Sequence, residues 1–359
     1  MLTSYGWSDR LQNDFAPYAA DGLIPGRLLI PQRGSYRLVT DDGEIDARAT
    51  GALMQTAAES ERPAAGDWVA VEPRPGETTA LVHHVLPRST AFIRKASGPR
   101  GGAQVVAANV DVAFLVASLN ADLNLRRLER YLATTYESGA QPVVVLTKAD
   151  LSEDPAAAVA EVQTVALDAP VLAISSKTGV GLDALMAHLP AGRTAVLLGS
   201  SGAGKSTLLN ALAGEQRMDT GAIREADDRG RHTTTHRELV LLPSGGLILD
   251  TPGMRELGLW EADAGVSAAF EDVEALAAAC RFSDCSHGRE PGCAVQAAIA
   301  SGALPEARWR AYEKLQAELA YEHRREDPKA AQENKKLWIS RHKAARAWMK
   351  QKRGGGDDG

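Results

Sequence analysis

The sequence predicts a multidomain α/β protein with three parts: a small β-barrel, a domain of alternating strands and helices, and a metal-binding domain with a helical tail. Short β-rich runs separated by turns fill residues 21–95, strands and helices alternate over residues 104–260, and all three cysteines lie within residues 280–293. A chain of 359 residues is long enough for two or three domains. We therefore expect domains at residues 1–95, 96–262 and 263–359.

Composition is that of a soluble globular chain, with 44% hydrophobic and 24% charged residues. No basic start followed by an apolar run opens the sequence, and the longest apolar run, residues 110–119, is too short to span a bilayer. We expect a cytoplasmic monomer without membrane contact. The net charge of −6 conceals a basic tail, since residues 321–353 carry 11 Lys/Arg against 4 Asp/Glu. This polarity predicts an anionic partner for the tail.

The β-rich part predicts an OB-like β-barrel, because it contains five short strand-like runs and no convincing helix. The runs are GRLLI, SYRLVT, EIDARA, GDWVAVE and ALVHHVL. Residues 95–102, KASGPRGG, follow the last run and predict a flexible linker.

A phosphate loop is predicted between a β-rich run and a helix, where residues 199–206 satisfy the pattern G-x-x-x-x-G-K-[ST]. In such a loop, backbone N–H groups converge on phosphates at the positive end of a helix. We expect Lys205 to reach the β- and γ-phosphates and the Ser206 hydroxyl to coordinate Mg²⁺. The predicted nucleotide-binding residues of this loop are Gly199, Ser200, Ser201, Gly202, Ala203, Gly204, Lys205, Ser206 and Thr207.

The loop suits ATP as well as GTP, and the sequence D-T-P-G at residues 250–253 favours GTP. It ends the apolar run GLILD, where Asp250 can hold Mg²⁺ through water and Gly253 can offer its N–H to a γ-phosphate. A transporter ATPase would have a strand ending in Asp-Glu and a Leu-Ser-Gly-Gly signature, and the sequence has neither.

A base-reading element is predicted where the apolar run VVVLT ends, at Thr147, Lys148, Ala149 and Asp150. The Asp150 carboxylate can accept from the N1–H and N2 amine of guanine, a donor pair that adenine lacks, and Lys148 can lie along the base. Thr147 replaces the usual asparagine, and its hydroxyl cannot make both contacts of an amide. A supporting turn is predicted at Ser175, Ser176 and Lys177. One of its backbone N–H groups could meet guanine O6.

The base-reading elements precede the phosphate elements, whereas ordinary GTPases have the opposite order. The sequence therefore predicts a circularly permuted P-loop G domain, which is feasible because domain termini often lie close together. The barrel leads into the base-reading half, and the D-T-P-G strand leads into the C-terminal domain. From this connectivity we expect the γ-phosphate to move the C-terminal domain relative to the barrel.

Residues 229–239, RGRHTTTHREL, occupy the place of the first switch. One hydroxyl of residues 233–235 should complete the Mg²⁺ shell; spacing does not choose among them, and Thr234 is the working assignment. Met254 stands where many GTPases have a water-orienting glutamine, so intrinsic hydrolysis should be slow. His232 is the nearest candidate to orient the water, and a solvated loop histidine is the alternative.

The cysteine-rich segment predicts a zinc knuckle. Its pattern C-x4-C-x-H-x5-C supplies four ligands, Cys280, Cys285, His287 and Cys293. A closed Cys₃His set suits one tetrahedral, structural Zn²⁺, and three buried free cysteines are the alternative. Arg281 and Arg289 make this segment electropositive.

The basic tail carries Trp338 and Trp348 among its Lys and Arg residues. Lysine and arginine can neutralise RNA phosphates, and indole rings can stack on unpaired bases. An amphipathic helix with a solvated basic face is the other interpretation of this composition.

These motifs together resemble the RsgA (YjeQ) family of circularly permuted GTPases over nearly the whole chain. The resemblance rests on GDWV, AANVD at residues 107–111, TKAD, SSKTG, GSSGAGKST, GRHTTT, DTPG and the cysteine cluster. It implies hydrolysis of GTP to GDP and phosphate, stimulated by the 30S ribosomal subunit during late maturation of its 16S rRNA.

Two other functions stay open on the sequence. An RNA-binding assembly factor could use GTP as a structural ligand with negligible turnover, which Met254 in place of glutamine would allow. A metabolic P-loop ATPase is the second alternative, and Asp150 argues against it.

Overall fold

The computed structural model describes residues 1–32, 34–74, 76–77, 79–95, 103–119, 123–214, 238–250, 262–288 and 290–326. These residues form a closed barrel, a two-stranded hairpin, a six-stranded sheet covered by helices, and a C-terminal helical unit. Among the helices in these ranges, none has the length and apolar character of a membrane span.

A closed five-stranded barrel follows a first helix, α1 (Asp9–Ala19). Its strands are β1 (Ile24–Gln32), β2 (Ser35–Thr40), β3 (Gly43–Ala49), β4 (Trp68–Glu72) and β5 (Thr79–Val85). Around the barrel the order is β1-β2-β3-β5-β4; β3 and β5 are parallel and the other pairs antiparallel. This Greek-key order is that of an OB-fold, which confirms the predicted barrel and its five strands.

The barrel also contains a helix that the sequence does not indicate, α2 (Gly51–Thr56), between β3 and β4. Thr50 caps this helix, because its hydroxyl oxygen accepts the Leu53 N–H at 3.2 Å. None of the six helical residues is buried, so the helix leaves no apolar periodicity in the sequence.

A hairpin of β6 (Ala91–Lys95) and β7 (Ala103–Ala108) joins the barrel to the central sheet. The predicted linker connects these two strands, and its residues 96–102 lie outside the described part of the chain. The boundary expected between residues 95 and 96 therefore falls inside the hairpin. The division into three domains stays a prediction.

The central sheet is mostly parallel, as predicted. Its strands are β8 (Val112–Ser118), β9 (Gln141–Thr147), β10 (Val171–Ala173), β11 (Thr194–Leu198), β12 (Glu238–Leu241) and β13 (Leu247–Asp250). The order is β10-β9-β8-β11-β13-β12, and β12 runs antiparallel to β13. The three strands that come first in the chain thus form one half of the sheet, here called the base-reading half. The other three form the phosphate half.

Helices cover both faces of this sheet: α3 (Leu125–Ser138), α4 (Pro155–Ala166), α5 (Leu182–Met186) and α6 (Lys205–Ala213). Alternate residues of a strand point to opposite faces. Accordingly, Leu115 packs in the cluster that includes α3 and α4, and Phe114 packs in the cluster that includes α5 and α6. Every residue of β8 is buried, which explains its continuous apolar run.

Within the described residues, four helices form the C-terminal unit: α7 (Asp263–Ala269), α8 (Glu271–Ala278), α9 (Ala294–Ser301) and α10 (Glu306–Glu326). At Gly265, α7 packs closely on α3 and donates its backbone N–H to Glu137 Oε2 at 2.8 Å. A Cβ at Gly265 would lie 2.8 Å from the Glu137 Cβ and against the Ala133 carbonyl. Only glycine permits this approach, which places the C-terminal unit against the base-reading half.

The barrel bonds directly to the phosphate half. β1 lies beside β12, and Arg27 of β1 donates to the Thr194 hydroxyl of β11 at 2.7 Å. The chain connections run the other way, from the barrel into β8 and from β13 toward α7. The barrel is thus joined in the chain to the base-reading half, as expected, and also packs against the phosphate half.

Candidate nucleotide site and metal cluster

The predicted phosphate loop lies at the carboxyl edge of the parallel strands, where open α/β sheets bind ligands. It joins the end of β11 to the start of α6. Gly202 and Gly204 have left-handed φ angles of 81° and 94°, which let the loop curl around the helix N-terminus. A Cβ at Gly199 would collide with the Val116 carbonyl of β8, so the loop has to begin with glycine.

The ammonium of Lys205 lies across this loop. Its Nζ donates to the carbonyls of Gly199 at 2.7 Å and Ser200 at 2.5 Å. Phosphate oxygens are charged acceptors and form stronger bonds to an ammonium than carbonyls do. Lys205 is therefore placed to exchange its loop carbonyls for a phosphate. Ser206 is half-buried in the first turn of α6.

The predicted base-reading loop begins where β9 ends. Lys148 adopts a left-handed conformation with φ 62°, which costs a non-glycine residue roughly 1 kcal/mol. This conformation turns the chain into a short helical turn, Ala149–Leu151, whose first N–H donates to the Ile174 carbonyl at 3.0 Å. Asp150 is exposed at the edge of the sheet.

The supporting turn follows β10. Its Ser175 is buried, donates its backbone N–H to Val180 at 2.9 Å and accepts from Gly179 at 2.9 Å. The Ser175 hydroxyl oxygen accepts the Thr178 N–H at 3.2 Å, which closes the turn. Because the Ser175 N–H is engaged, the N–H groups of Ser176 and Lys177 are the better candidates for contact with a base.

Two hydrogen bonds join the base-reading loop to the phosphate loop. The Thr147 hydroxyl lies 2.6 Å from the Ala203 carbonyl and 3.2 Å from the Ala117 carbonyl, and its single proton is best assigned to the shorter contact. Lys148 Nζ donates to the Gly202 carbonyl at 3.1 Å. The spacing of the motifs does not reveal this link. The one sequence feature that could have indicated it is a polar residue, Thr147, at the end of the buried strand β9.

Asp250 ends β13 and lies at the same edge of the sheet, half-buried. It pairs in register with Glu238 of β12. The other predicted elements of the phosphate half lie outside the described residues: Thr234 and His232 of the first switch, Gly253 and Met254.

The predicted metal ligands converge, since one ligand atom from each lies within 4.8 Å of the others. Cys280 Sγ lies 3.5 Å from His287 Nδ1 and 3.9 Å from Cys293 Sγ, and Cys293 Sγ lies 3.7 Å from His287 Nδ1. Tetrahedral Zn²⁺ with bonds of about 2.0–2.3 Å separates its ligands by about 3.5–3.8 Å. The fourth ligand, Cys285, is half-buried. The cluster is compatible with one zinc ion.

Neighbouring groups, which the sequence does not reveal, hold these ligands in place. Backbone N–H groups donate to sulfur, from Ala294 to Cys280 at 3.3 Å and from Gln296 to Cys293 at 3.4 Å. The Gln296 side chain donates to the His287 carbonyl at 2.7 Å, and the Trp309 ring lies edge-on to His287 at 5.3 Å. Such partners orient metal ligands and favour thiolates.

The barrel, the rearranged sheet and the hydrogen-bonded loops define a circularly permuted P-loop GTPase. Residues 85–260 match the family model described as RsgA GTPase. The "Small ribosomal subunit biogenesis GTPase RsgA" of Opitutus terrae is 50% identical and covers 96% of this chain and 97% of its own. The protein of the same name from Streptomyces coelicolor is 50% identical, with 99% and 96% covered.

Solved structures agree with these relatives. "Crystal structure of YjeQ from Thermotoga maritima" has a TM-score of 0.63 at 26% identity, covering 83% of this chain and 99% of that chain. "The crystal structure of YloQ, a circularly permuted GTPase" has a TM-score of 0.60 at 25% identity, with 83% and 95% covered. The chain belongs to the RsgA GTPase family, which confirms the family and the class predicted from the sequence.

Proposed function

We propose that this protein hydrolyses GTP to GDP and phosphate on the 30S ribosomal subunit, during late maturation of 16S rRNA. The observation that carries the proposal is the pair of hydrogen bonds from Thr147 to Ala203 and from Lys148 to Gly202. They make one site out of a base-reading loop and a phosphate loop that are far apart in the chain. The names of the relatives supply the small-subunit partner.

In this proposal each loop holds one end of GTP. Backbone N–H groups of residues 199–204 and Thr207 surround the phosphates, and Lys205 bonds to the β- and γ-phosphates. Asp150 accepts from the two guanine donors, and Lys148 lies along the base. An N–H of Ser176 or Lys177 meets guanine O6, because the Ser175 N–H is engaged.

Ser206 and Asp250 lie at the edge where the β- and γ-phosphates would sit, and their oxygens suit Mg²⁺. When bound, Mg²⁺ neutralises charge on the phosphates. Thr234 is assigned as the switch ligand, Gly253 as a γ-phosphate donor and His232 as the group that orients water. These three assignments rest on the sequence alone.

We assign one structural Zn²⁺ to Cys280, Cys285, His287 and Cys293. Four protein ligands leave no open position for catalytic water, so the ion would hold the turn and the start of α9 in place. A monomer in the cytoplasm, where it would meet ribosomal subunits, completes the proposal.

The proposal is tested by measuring phosphate release from GTP, with ATP as the control nucleotide. The protein is assayed by itself and with purified 30S or 50S subunits. We expect slow turnover alone and a large rise with 30S only. Lys205→Ala should abolish the rise, and Lys177→Ala, an exposed lysine whose backbone alone is assigned a role, is the matched control. Tight GTP binding without stimulation by either subunit would favour the assembly factor that uses GTP as a structural ligand.

A further inference from the structure

The turn between the first two cysteines of the metal cluster carries an exposed aromatic ring that the nucleotide site does not use. Phe282 is 42% exposed, whereas Trp309 on the other side of the cluster is 7% exposed. Its neighbours Ser283 and Asp284 are exposed and polar. Exposing a phenyl ring forgoes the free energy of burying it, and it leaves the ring accessible to a binding partner.

Hydrogen bonds within the turn fix the backbone that carries this ring. Arg281 donates its backbone N–H to the Gly292 carbonyl at 3.2 Å, and Cys285 donates to the Phe282 carbonyl at 3.3 Å. Gly292 has φ 82°, and a Cβ there would lie 3.0 Å from the Arg281 Cβ, so the glycine makes room for the arginine stem. The Arg281 guanidinium then lies 5.4 Å from the centre of the Phe282 ring. A backbone that is already fixed loses little entropy on binding.

We infer that Phe282 and Arg281 form a stacking platform for one unpaired RNA base. This inference rests on the small-subunit partner proposed above, and it names one contact that the protein would make with the RNA of that subunit. An aromatic ring beside a guanidinium is the usual receptor for a splayed base: the ring stacks on the base and the cation pairs with a phosphate. Asp284, exposed two residues along the same turn, disfavours a dense array of phosphates, which argues for a single-stranded base rather than a duplex.

A protein partner fits this surface less well. Protein interfaces are built on contiguous apolar patches with several buried anchors. Within the described part of the C-terminal unit, the other large exposed apolar side chain is Tyr321, twelve residues beyond Trp309 on α10. That spacing is about 18 Å along the helix from Trp309, which contacts His287, so Tyr321 does not extend an apolar patch from the metal cluster.

Binding of the full chain to 30S subunits, measured over a range of salt, tests the platform in the variants Phe282→Ala, Phe282→Leu and Phe282→Trp. Alanine and leucine should each weaken binding about tenfold, and tryptophan should keep wild-type affinity, because stacking needs a planar ring. The Phe282 variants should leave the salt dependence unchanged, whereas Arg281→Ala should lower its slope by about one. Tyr321→Ala is the matched control, and zinc content verifies that each variant keeps its fold.

Leucine that binds as well as phenylalanine, or alanine without effect, would overturn the inference. So would a cross-link from position 282 to a ribosomal protein instead of RNA. If the wild-type chain does not bind 30S at all, the proposed function fails first. The platform is then tested on single-stranded against duplex RNA oligonucleotides, where equal affinities of wild type and Phe282→Ala would overturn it.

Discussion

Two buried arginines join the outer parts of this protein to its central sheet, and they do so with different partners. Arg27 links the barrel to the sheet and is 2% exposed; Arg308 links the C-terminal unit to it and is 3% exposed. Arg27 bonds to carbonyls and a hydroxyl, whereas Arg308 bonds to two carboxylates. Asp111 and Asp67 act on Arg27 electrostatically without a hydrogen bond to it, so the first junction should depend less on carboxylate protonation than the second.

At the barrel junction, the Arg27 guanidinium meets neutral acceptors. It donates to Thr194 Oγ1 at 2.7 Å and to the carbonyls of Asn109 at 3.3 Å and Gly66 at 3.4 Å. Its centre lies 5.2 Å from the Trp68 ring. Burial lowers the pKa of Arg27 to about 10, and this arginine still carries its charge at pH 7.

At the C-terminal junction, Arg308 of α10 meets Asp272 through two contacts of 2.6 Å and Glu129 of α3 at 3.1 Å. Its guanidinium also lies 4.7 Å over the Phe270 ring. Glu129 is fully buried, and burial raises its pKa against the opposing effects of Arg126 and Arg308. A buried carboxylate of this kind needs its cation, because an unpaired buried charge is costly.

The largest expected effect follows from breaking the charged junction. Arg308→Met leaves Glu129 with Arg126 as its remaining cation and should cost about 3–5 kcal/mol of stability in the C-terminal unit. Hydrogen exchange of α10 and α3 should rise while the barrel stays protected. Arg310→Met is the control, since Arg310 is 72% exposed and pairs with Glu306 on the same helix; it should cost under about 0.5 kcal/mol. Equal effects of the two variants would contradict the account.

Arg27→Lys breaks the neutral junction while keeping the charge. Lysine cannot reproduce the forked contacts of Arg27, so we expect a loss of about 2–3 kcal/mol, seen as faster exchange in β1 and the hairpin. The loss should be nearly constant from pH 4 to pH 7. The loss from Arg308→Met should instead shrink toward pH 4, because Glu129, whose pKa burial raises, no longer needs the cation once it is protonated. If the stability losses of the two variants changed with pH in the same way, the two junctions would not differ in their dependence on carboxylate protonation.

A neutral contact also joins the two loops of the candidate site. Thr147→Val keeps the shape of the side chain, removes its hydroxyl and leaves the Ala203 carbonyl without this donor. We expect a cost of about 1–1.5 kcal/mol, which is about tenfold in GTP affinity if the bond aligns the loops for binding. Titration with a fluorescent GTP analogue measures it, with Thr164→Val on the exposed face of α4 as the control. Unchanged affinity in Thr147→Val would show that the loops align without this bond.

The smallest effect concerns the pH dependence of the charged junction. The pKa of Glu129 is raised above its ordinary value of 4.5, so the folded protein keeps this proton to a higher pH than the unfolded chain does. The stability from this group is therefore full below about pH 4.5 and is lost as pH rises through the raised pKa. Glu129→Gln has no such titration. The free energy of unfolding of the wild type minus that of the variant should fall as pH rises from 4.5. A difference that rises would mean that folding lowers the pKa of Glu129 instead of raising it.

Local patterns predicted most of the fold and the residues of the candidate site. The apolar runs of β8 and β9 and the glycine pattern of residues 199–204 are each set by a few adjacent residues, so the sequence shows them directly. The two junctions were not predictable in this way. Arg27 and Thr194 are 167 residues apart, and Arg308 and Glu129 are 179 residues apart. The local sequence around each arginine therefore does not indicate which residue it contacts.

The most direct test of the central claim, that Asp150 reads guanine in a site shared with the phosphate loop, is 30S-stimulated phosphate release by wild type and Asp150→Asn. GTP, ATP and XTP are compared, since xanthine has an oxygen where guanine has the N2 amine. We expect the wild type to prefer GTP and Asp150→Asn to prefer XTP, because an amide can donate to that oxygen. A variant that still prefers GTP to ATP and XTP would contradict the claim.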